Sequence, residues 1–285
     1  MKIGFIGAGK VGFSLGKWFV QGGVPVTGYW SRHRGSAREA ALFTGTKTFD
    51  AWKDLVRESD AIFLTVPDGT IPAVFDALRG LELAEKQVCH CSGALTAREA
   101  FPGAESLCAG LYSIHPLFPI SSKETAWREL PGAFFCLEGE GPHLPGWADL
   151  LSGLGARTFT LPSDRKGAYH AACAAASNLV CALAALSLEL LNGCGLGERE
   201  ALDALAPLMR ANLEHILAEG PVRALTGPVE RGDGETVARH LACLTDPEGL
   251  ALYRSASLVL TDLAERKHPG TDYGPIRALL GGSSQ

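Results

Sequence analysis

The chain has 285 residues, 46% of them apolar and 20% charged, with a formal net charge of −5 and a pI near 5.9. This length suits two domains of ordinary size, and the apolar share fills their cores, which excludes a disordered chain. The net negative charge argues against a general nucleic-acid or anionic-membrane partner.

The first element is a short apolar run, Ile3 to Ile6, which reads as a buried strand. It leads straight into Gly7-x-Gly9-x-x-Gly12, with Lys10 and Val11 between the last two glycines. Val11, Leu15, Trp18 and Phe19 then recur at helical spacing. Strand, glycine turn and helix in this order form the dinucleotide-binding fingerprint. Gly7 permits the turn, Gly9 leaves room for a pyrophosphate, and Gly12 lets helix and strand pack closely. The helix N-terminus offers unpaired N–H groups and a partial positive charge to the phosphates.

Gly22-Gly23 ends that helix, and Val24–Trp30 reads as the second strand. An NAD-preferring site places an acid about 20 residues beyond the glycines. Here that region is Trp30-Ser31-Arg32-His33-Arg34, with no acid. Ser31 can hydrogen-bond a 2′-phosphate, and Arg32 or Arg34 can pair with it. One charge-assisted bond contributes about 1.5–3 kcal/mol, so NADP is favoured over NAD by about tenfold to a hundredfold.

Helices are predicted over Ser36–Thr44 and Phe49–Glu58. Asp60–Pro67 is a near-continuous apolar run, as a sheet covered on both faces demands. Val66 and Pro67 end it at the carboxyl edge, where such sheets bind ligands. Asp68 or Thr70 can cap the next helix, Ile71–Arg79. Gln87–Cys91 is the fifth strand and delivers Ser92-Gly93-Ala94 to the same edge. A weaker strand over Leu107–Ile114 ends at the turn-rich His115-Pro116-Leu117-Phe118-Pro119. Ala133–Leu137 and Arg157–Leu161 read as two more strands flanking a helix over Trp147–Gly153.

From Ser163 the strand signal stops. Helices are predicted over 164–192, 198–219, 234–244, 247–266 and 273–280, with Ser163 or Asp164 capping the first and Gly193 and Gly195 closing it. The fold class is therefore an α/β Rossmann domain over residues 1–162, with a doubly wound, mostly parallel sheet, then an all-α domain over 163–285. Ala171–Leu191 is apolar enough to raise the question of a membrane span. Its Asn178, Glu189 and many alanines favour a core helix or a dimer interface. Lys2 leads directly into a strand, so no signal peptide is expected, and the eight cysteines read as buried cytoplasmic thiols. Cys89-His90-Cys91 carries no metal reading, because on a strand the histidine points away from the cysteines.

Three constellations can carry chemistry. Ser92 and His115 both follow strands at the carboxyl edge, where a histidine can move a proton and a serine can orient a substrate. Lys166, His170 and Asn178 share one face of the long helix at spacings of four and eight, with Tyr169 beside them. The loop Leu225–Asp233 is followed by Thr236 and His240; its Arg231 can bind a carboxylate or pair with Asp233.

Together, Gly7-Ala8-Gly9-Lys10-Val11-Gly12, Ser31-Arg32, Val66-Pro67-Asp68, Cys91-Ser92-Gly93-Ala94, His115-Pro116 and Thr226-Gly227-Pro228-x-x-Arg231-Gly232-Asp233 resemble one family. It is the bacterial Rossmann-like NADP oxidoreductases with a C-terminal helical domain of unknown function, in the 6-phosphogluconate dehydrogenase-like superfamily. The resemblance implies hydride transfer between NADPH and a small carbonyl or imine substrate. It also implies a homodimer formed through the helical domain. Among wider relatives, 3-hydroxyisobutyrate dehydrogenase and pyrroline-5-carboxylate reductase are similar. Several such enzymes carry a lysine and an asparagine four apart after the nucleotide domain. Lys166 matches the lysine, and His170 stands where the asparagine belongs. Prephenate dehydrogenases carry a serine and a His-Pro resembling Ser92 and His115-Pro116. A non-catalytic NADP-binding sensor or partner module is the alternative from another class.

Overall fold

The computed structural model describes residues 1–104 and 106–281. The chain divides into two compact units, 1–175 and 176–285. In chain order the first holds β1 (Ile3–Ile6), α1 (Lys10–Gln21), β2 (Val26–Trp30), α2 (Arg34–Thr44), β3 (Lys47–Thr48), α3 (Trp52–Glu58), β4 (Ala61–Leu64), α4 (Ile71–Leu78) and β5 (Gln87–His90). It continues with α5 (Ala97–Ala100), β6 (Gly110–Leu117), β7 (Phe134–Glu140), α6 (Leu144–Gly153), β8 (Arg157–Thr160) and α7 (Lys166–Ala176).

The eight strands form one sheet in the order β3-β2-β1-β4-β5-β6-β7-β8. Every neighbouring pair is parallel except β6–β7. The order reverses between β1 and β4, so a crevice opens at their carboxyl ends. β1 and β4 are buried along their whole length, which is why both read as unbroken apolar runs. Alternate side chains feed two cores. Phe5, Phe63, Cys89 and Tyr112 join Phe13, Trp18, Phe19 and Trp147 on one face. Ile62, Leu64, Val88 and Leu111 join Leu55, Phe75 and Phe101 on the other.

Several boundaries differ from the sequence reading. By compactness the first unit runs to Ala175, and Lys166 is buried within it. The long helix predicted over 164–192 is interrupted at Ser177, whose φ of −123° and ψ of −71° lie outside the helical range. Serine followed by asparagine, both weak helix formers, marks the break. The strand predicted to stop at Ile114 runs on to Leu117. β5 pairing ends at Ser113, and beyond it β6 pairs only with β7, a margin where Pro116 and its missing N–H are tolerated. Neither Asp68 nor Thr70 caps α4; the Thr70 hydroxyl donates to the Pro67 carbonyl. Ser163 does not cap a helix either, since its hydroxyl donates to Glu138 Oε1 at 2.6 Å. β3 and the single-turn α5 are too short to show a period, although the Thr96–Glu99 capping box that starts α5 is present in the sequence.

The second unit holds α8 (Asn178–Gly193), α9 (Glu198–Glu219), α10 (Pro221–Ala224), α11 (Gly234–Cys243), α12 (Pro247–Lys267) and α13 (Gly274–Leu279). Gly195, at φ +96°, closes α8 by donating to the Asn192 carbonyl. Its core is small: Val229, Val237, Ile276 and Leu280, with Leu241, Leu258 and Leu260 packed against them. Leu179, Val180, Leu183 and Leu190 on α8, and Leu208, Leu213 and Leu217 on α9, are exposed. The helical run Ser163–Gly193 reaches a mean hydropathy of 1.9, long and apolar enough by composition to cross a membrane.

The cap of α11 is the clearest local device in this unit. Asp233 Oδ1 accepts from the Thr236 amide at 3.0 Å, and Oδ2 accepts from the Thr236 hydroxyl at 2.7 Å. Asp233→Ala is expected to lower the unfolding free energy by about 1 kcal/mol, and Asp233→Asn by much less. Urea titrations check both; equal losses in the two variants contradict a capping role.

Candidate functional site

The glycine turn is built by close approach. Gly7 has φ +109°, and a Cβ there would overlap the Thr65 carbonyl. The Thr65 hydroxyl donates to the Gly7 carbonyl at 2.9 Å. A Cβ on Gly12 would lie 2.8 Å from that same carbonyl, so α1 rests directly on the turn. Gly9 is different: a Cβ there would meet nothing within 4 Å. Gly9 begins α1 with no side-chain cap, and exposed Lys10, half-buried Val11 and Gly12 supply the helix's first N–H groups. Open space above uncapped amides fits a dinucleotide pyrophosphate.

At the end of β2, Ser31 is half-buried and Arg32 is exposed, with no ion pair among the described residues. Arg34 pairs with Asp50 at 2.6 Å, both side chains being exposed. Asp50 follows β3, a strand too short to be seen in the sequence, so this acid was not anticipated beside the basic segment. An exposed pair contributes about 0–1 kcal/mol, so Arg34 exchanges partners at little cost.

Past β4, half-buried Val66 and exposed Pro67 border the same edge. Next to them Asp68 Oδ2 accepts from the Ser92 hydroxyl at 2.6 Å. Ser92 Oγ also accepts from the Ala94 and Leu95 amides, at 3.1 and 3.0 Å, while its own amide donates to His90 Nδ1. The Ser92 hydroxyl is thus fully engaged in shaping the 92–95 loop. Its carbonyl accepts from the Ser113 hydroxyl at 3.2 Å, and Ser113 Oγ accepts from Lys166 Nζ.

In-register pairing puts His90, Ser113 and Glu138 on one face, and His115 and Cys136 on the same face one step nearer the edge. α7 covers that face. Lys166 is 1% exposed, and Tyr169 Oη lies 2.7 Å from His115 Nδ1. His170 and His115 both close over Gly93. A Cβ on Gly93 would fall 2.7 Å from His170 Cδ2 and 2.9 Å from His115 Nε2. The structure therefore brings Ser92, His115, Lys166 and His170 together. Asn178 is the first residue of α8, in the second unit.

Burial sets the charge states. It pushes His90 down to about 3, with Lys166 adding to the effect. It pushes His115 down to about 4, with Lys166 and His170 adding. Burial lowers Lys166 below the usual lysine value, against the opposing pull of Cys136, Glu138, Cys91 and Asp68. The Cys136 thiol and the Tyr169 hydroxyl are both raised by burial and stay protonated at neutrality. Buried Glu138, with its Oε2 on the Ala97 amide at 2.8 Å, was missed in the sequence; an acid inside the strand Phe134–Glu140 is the signal that could have found it.

The third constellation is structural where it can be read. Asp233 is the cap of α11, His240 Nδ1 lies 2.7 Å from the Tyr253 hydroxyl, and Arg231 is exposed.

Comparison with known proteins gives two family matches. Residues 2–91 match "NADP oxidoreductase coenzyme F420-dependent", and residues 133–259 match a domain of unknown function, DUF2520. A Thermotoga maritima protein of known structure is 30% identical, over 93% of this chain and 99% of that one, with a TM-score of 0.73. A Bacteroides fragilis protein assigned as an NADP oxidoreductase is 20% identical over 94% and 97%, with a TM-score of 0.71. A reductive aminase from Aspergillus terreus, solved with NADPH, shares the fold at 17% identity over 99% and 96%, with a TM-score of 0.63.

The depressed imidazoles make a pH prediction. The unfolded chain takes up a proton at each near pH 6.5, while the folded chain resists until about pH 3 at His90 and about pH 4 at His115. Their contribution is whole above pH 6.5 and is lost as pH falls below it, by about 1.4 kcal/mol per pH unit for each imidazole. Urea titrations from pH 7 to 4.5 should show that slope, and His90→Gln should remove one share of it. An unchanged slope in the variant contradicts the buried neutral state of His90.

Proposed function

This chain belongs to the NADP oxidoreductase family that carries the C-terminal domain of unknown function DUF2520, and on that premise we propose that it transfers hydride between NADPH and a small carbonyl or imine substrate. The observation that carries this reading is the pair of imidazoles, His115 and His170, closing over Gly93 at the sheet edge that also bears the glycine turn. Bound at that edge, the cofactor supplies the hydride for a carbonyl or imine carbon.

The chain's own residues do the rest. The amides of Lys10, Val11 and Gly12 would hold the pyrophosphate, and Val66 and Pro67 would line the nicotinamide end of the site. Ser31 and Arg32 would bind the 2′-phosphate, and Arg34 would join them by leaving Asp50. Exposed His170, in contact with solvent, moves the proton to or from the substrate heteroatom. His115, neutral at physiological pH, hydrogen-bonds that heteroatom. Lys166, anchored on Ser113, orients the site and lends it positive potential. Ser92 positions the loop and Asp68 and does not touch substrate, since its hydroxyl is already engaged.

The apolar faces of α8 and α9 support a homodimer: Leu213 is 55% exposed and Leu217 78%. Surfaces of that kind mark an interface in a folded chain. In detergent-free buffer, sedimentation velocity should give a dimer, and Leu213→Glu should shift it toward monomer. A wild-type monomer across the concentration range contradicts this assembly, and a chain recovered only in detergent supports the membrane reading of Ser163–Gly193.

The cofactor assignment is tested by titrating NADPH and NADH into wild type and Arg32→Ala. Tight NADPH binding, at least tenfold weaker in the variant with NADH unaffected, is the expected result. Equal binding of both nucleotides by wild type contradicts the preference for NADP, and binding of neither contradicts the site.

A further inference from the structure

We propose that Tyr169 is a positioning residue that holds His115 as its Nε2–H tautomer, so that the site grips a carbonyl oxygen and not a protonated imine nitrogen. The substrate half of this inference rests on the oxidoreductase reading. The tautomer half does not.

The argument starts from one hydrogen bond whose direction must be decided. His115 Nδ1 and the Tyr169 hydroxyl are 2.7 Å apart, and either can donate. The hydroxyl has a single proton to give. Two other groups compete for it: the thiols of Cys136 and Cys173, which lie beside it. Their placement follows from the fold. Cys136 stands directly opposite His115 in the β6–β7 ladder, and Cys173 is one helical turn beyond Tyr169 on α7. Thiol sulfur is a weak acceptor, whereas a neutral imidazole nitrogen is a strong one. The hydroxyl proton therefore goes to Nδ1. Once Nδ1 accepts, the imidazole proton must sit on Nε2.

Nε2 has no hydrogen-bond partner among the described residues. It packs over Gly93, so closely that a Cβ there would fall 2.9 Å from it. A substrate group that reaches this nitrogen meets a fixed donor. A carbonyl oxygen offers lone pairs to it, and a protonated imine nitrogen offers none. The charged and titratable groups around the imidazole are Lys166 and His170 on α7, His90 on β5, Glu138 on β7 and Asp68 beyond β4. Of the two carboxylates, Asp68 is held by Ser92, and Glu138 by Ala97 and Ser163. Lys166 disfavours a second cation beside it.

The test reads the tautomer directly, in the full-length, cofactor-free chain labelled with ¹⁵N-histidine, by two-bond ¹H–¹⁵N correlation at pH 7. His115→Gln assigns the signals. The expected spectrum shows His115 protonated at Nε2 in wild type and a mixture of tautomers in Tyr169→Phe. Protonation at Nδ1 in wild type overturns the proposal, as does an unchanged tautomer in Tyr169→Phe. Should that variant fail to fold, 3-fluorotyrosine incorporation replaces it. The more acidic hydroxyl should shift the His115 Nδ1 resonance, and an unmoved resonance overturns the role of Tyr169. The same spectrum decides the substrate class. Acetone should move the Nε2 proton downfield, and pyrrolidinium, a cation shaped like a cyclic iminium, should leave it in place. The reverse pattern, or no response to acetone, overturns the substrate half. Because no cofactor is present, a failure of NADPH to bind does not alter these readouts, so the two readings fail separately.

Discussion

The approach of α1 to the turn after β1 is the constraint on which the nucleotide end of the molecule depends. Thr65, one residue beyond β4, donates its hydroxyl to the Gly7 carbonyl and lies against Gly12. The turn, the start of α1 and a residue 58 positions further along the chain thus meet at a point with no room for a methyl group. Burial then follows in both directions. The aromatic core of Phe5, Phe13, Phe19 and Phe63 fills in below, and the uncapped amides of α1 are left facing outward. The opening at Gly9 and the crowding at Gly7 and Gly12 have one cause: the helix is pressed onto the strand, and the remaining space lies only on its amino side.

A second constraint governs the chemical end. Lys166 places an ammonium group where almost no water reaches. Its neighbours answer that burial with hydroxyls and a few carboxylates, and the two imidazoles His90 and His115 answer by staying neutral. The arrangement is costly to desolvate and specific in geometry, which suits a site organised around hydrogen-bond direction more than around net charge.

How much of this could be read in the sequence depended on how local each cause was. The glycine fingerprint and the apolar runs of β1 and β4 were legible because turn sterics and two-sided burial act within a few residues. The Asp233–Thr236 cap is equally local, spanning three residues. The role of Asp68 is not: its partner Ser92 lies 24 residues away, on another strand's exit. Ser92 reads as a substrate-facing hydroxyl until its three hydrogen bonds are counted. Asn178 was placed with Lys166 and His170 on the assumption of one unbroken helix, and the break at Ser177 is an irregularity that periodicity does not show. The His115-Pro116 pair reads as a turn, since proline usually ends a strand. Only the antiparallel partner β7 makes it strand.

The reversal at β7 has a consequence for the route of the chain. In a fully parallel sheet every strand exits at the ligand edge, and the helix after it descends away from that edge. Because β7 and β8 run the other way, β8 ends at Thr160, which pairs with Leu137, itself level with Ile114 on β6. The next helix must climb. Its successive residues meet β6 in ascending order, Lys166 at Ser113 and then Tyr169 at His115. A single change of strand polarity thus acts as a parity switch. It turns what would have been one more outer covering helix into the element that delivers an ammonium, a phenol and an imidazole to the mouth of the sheet.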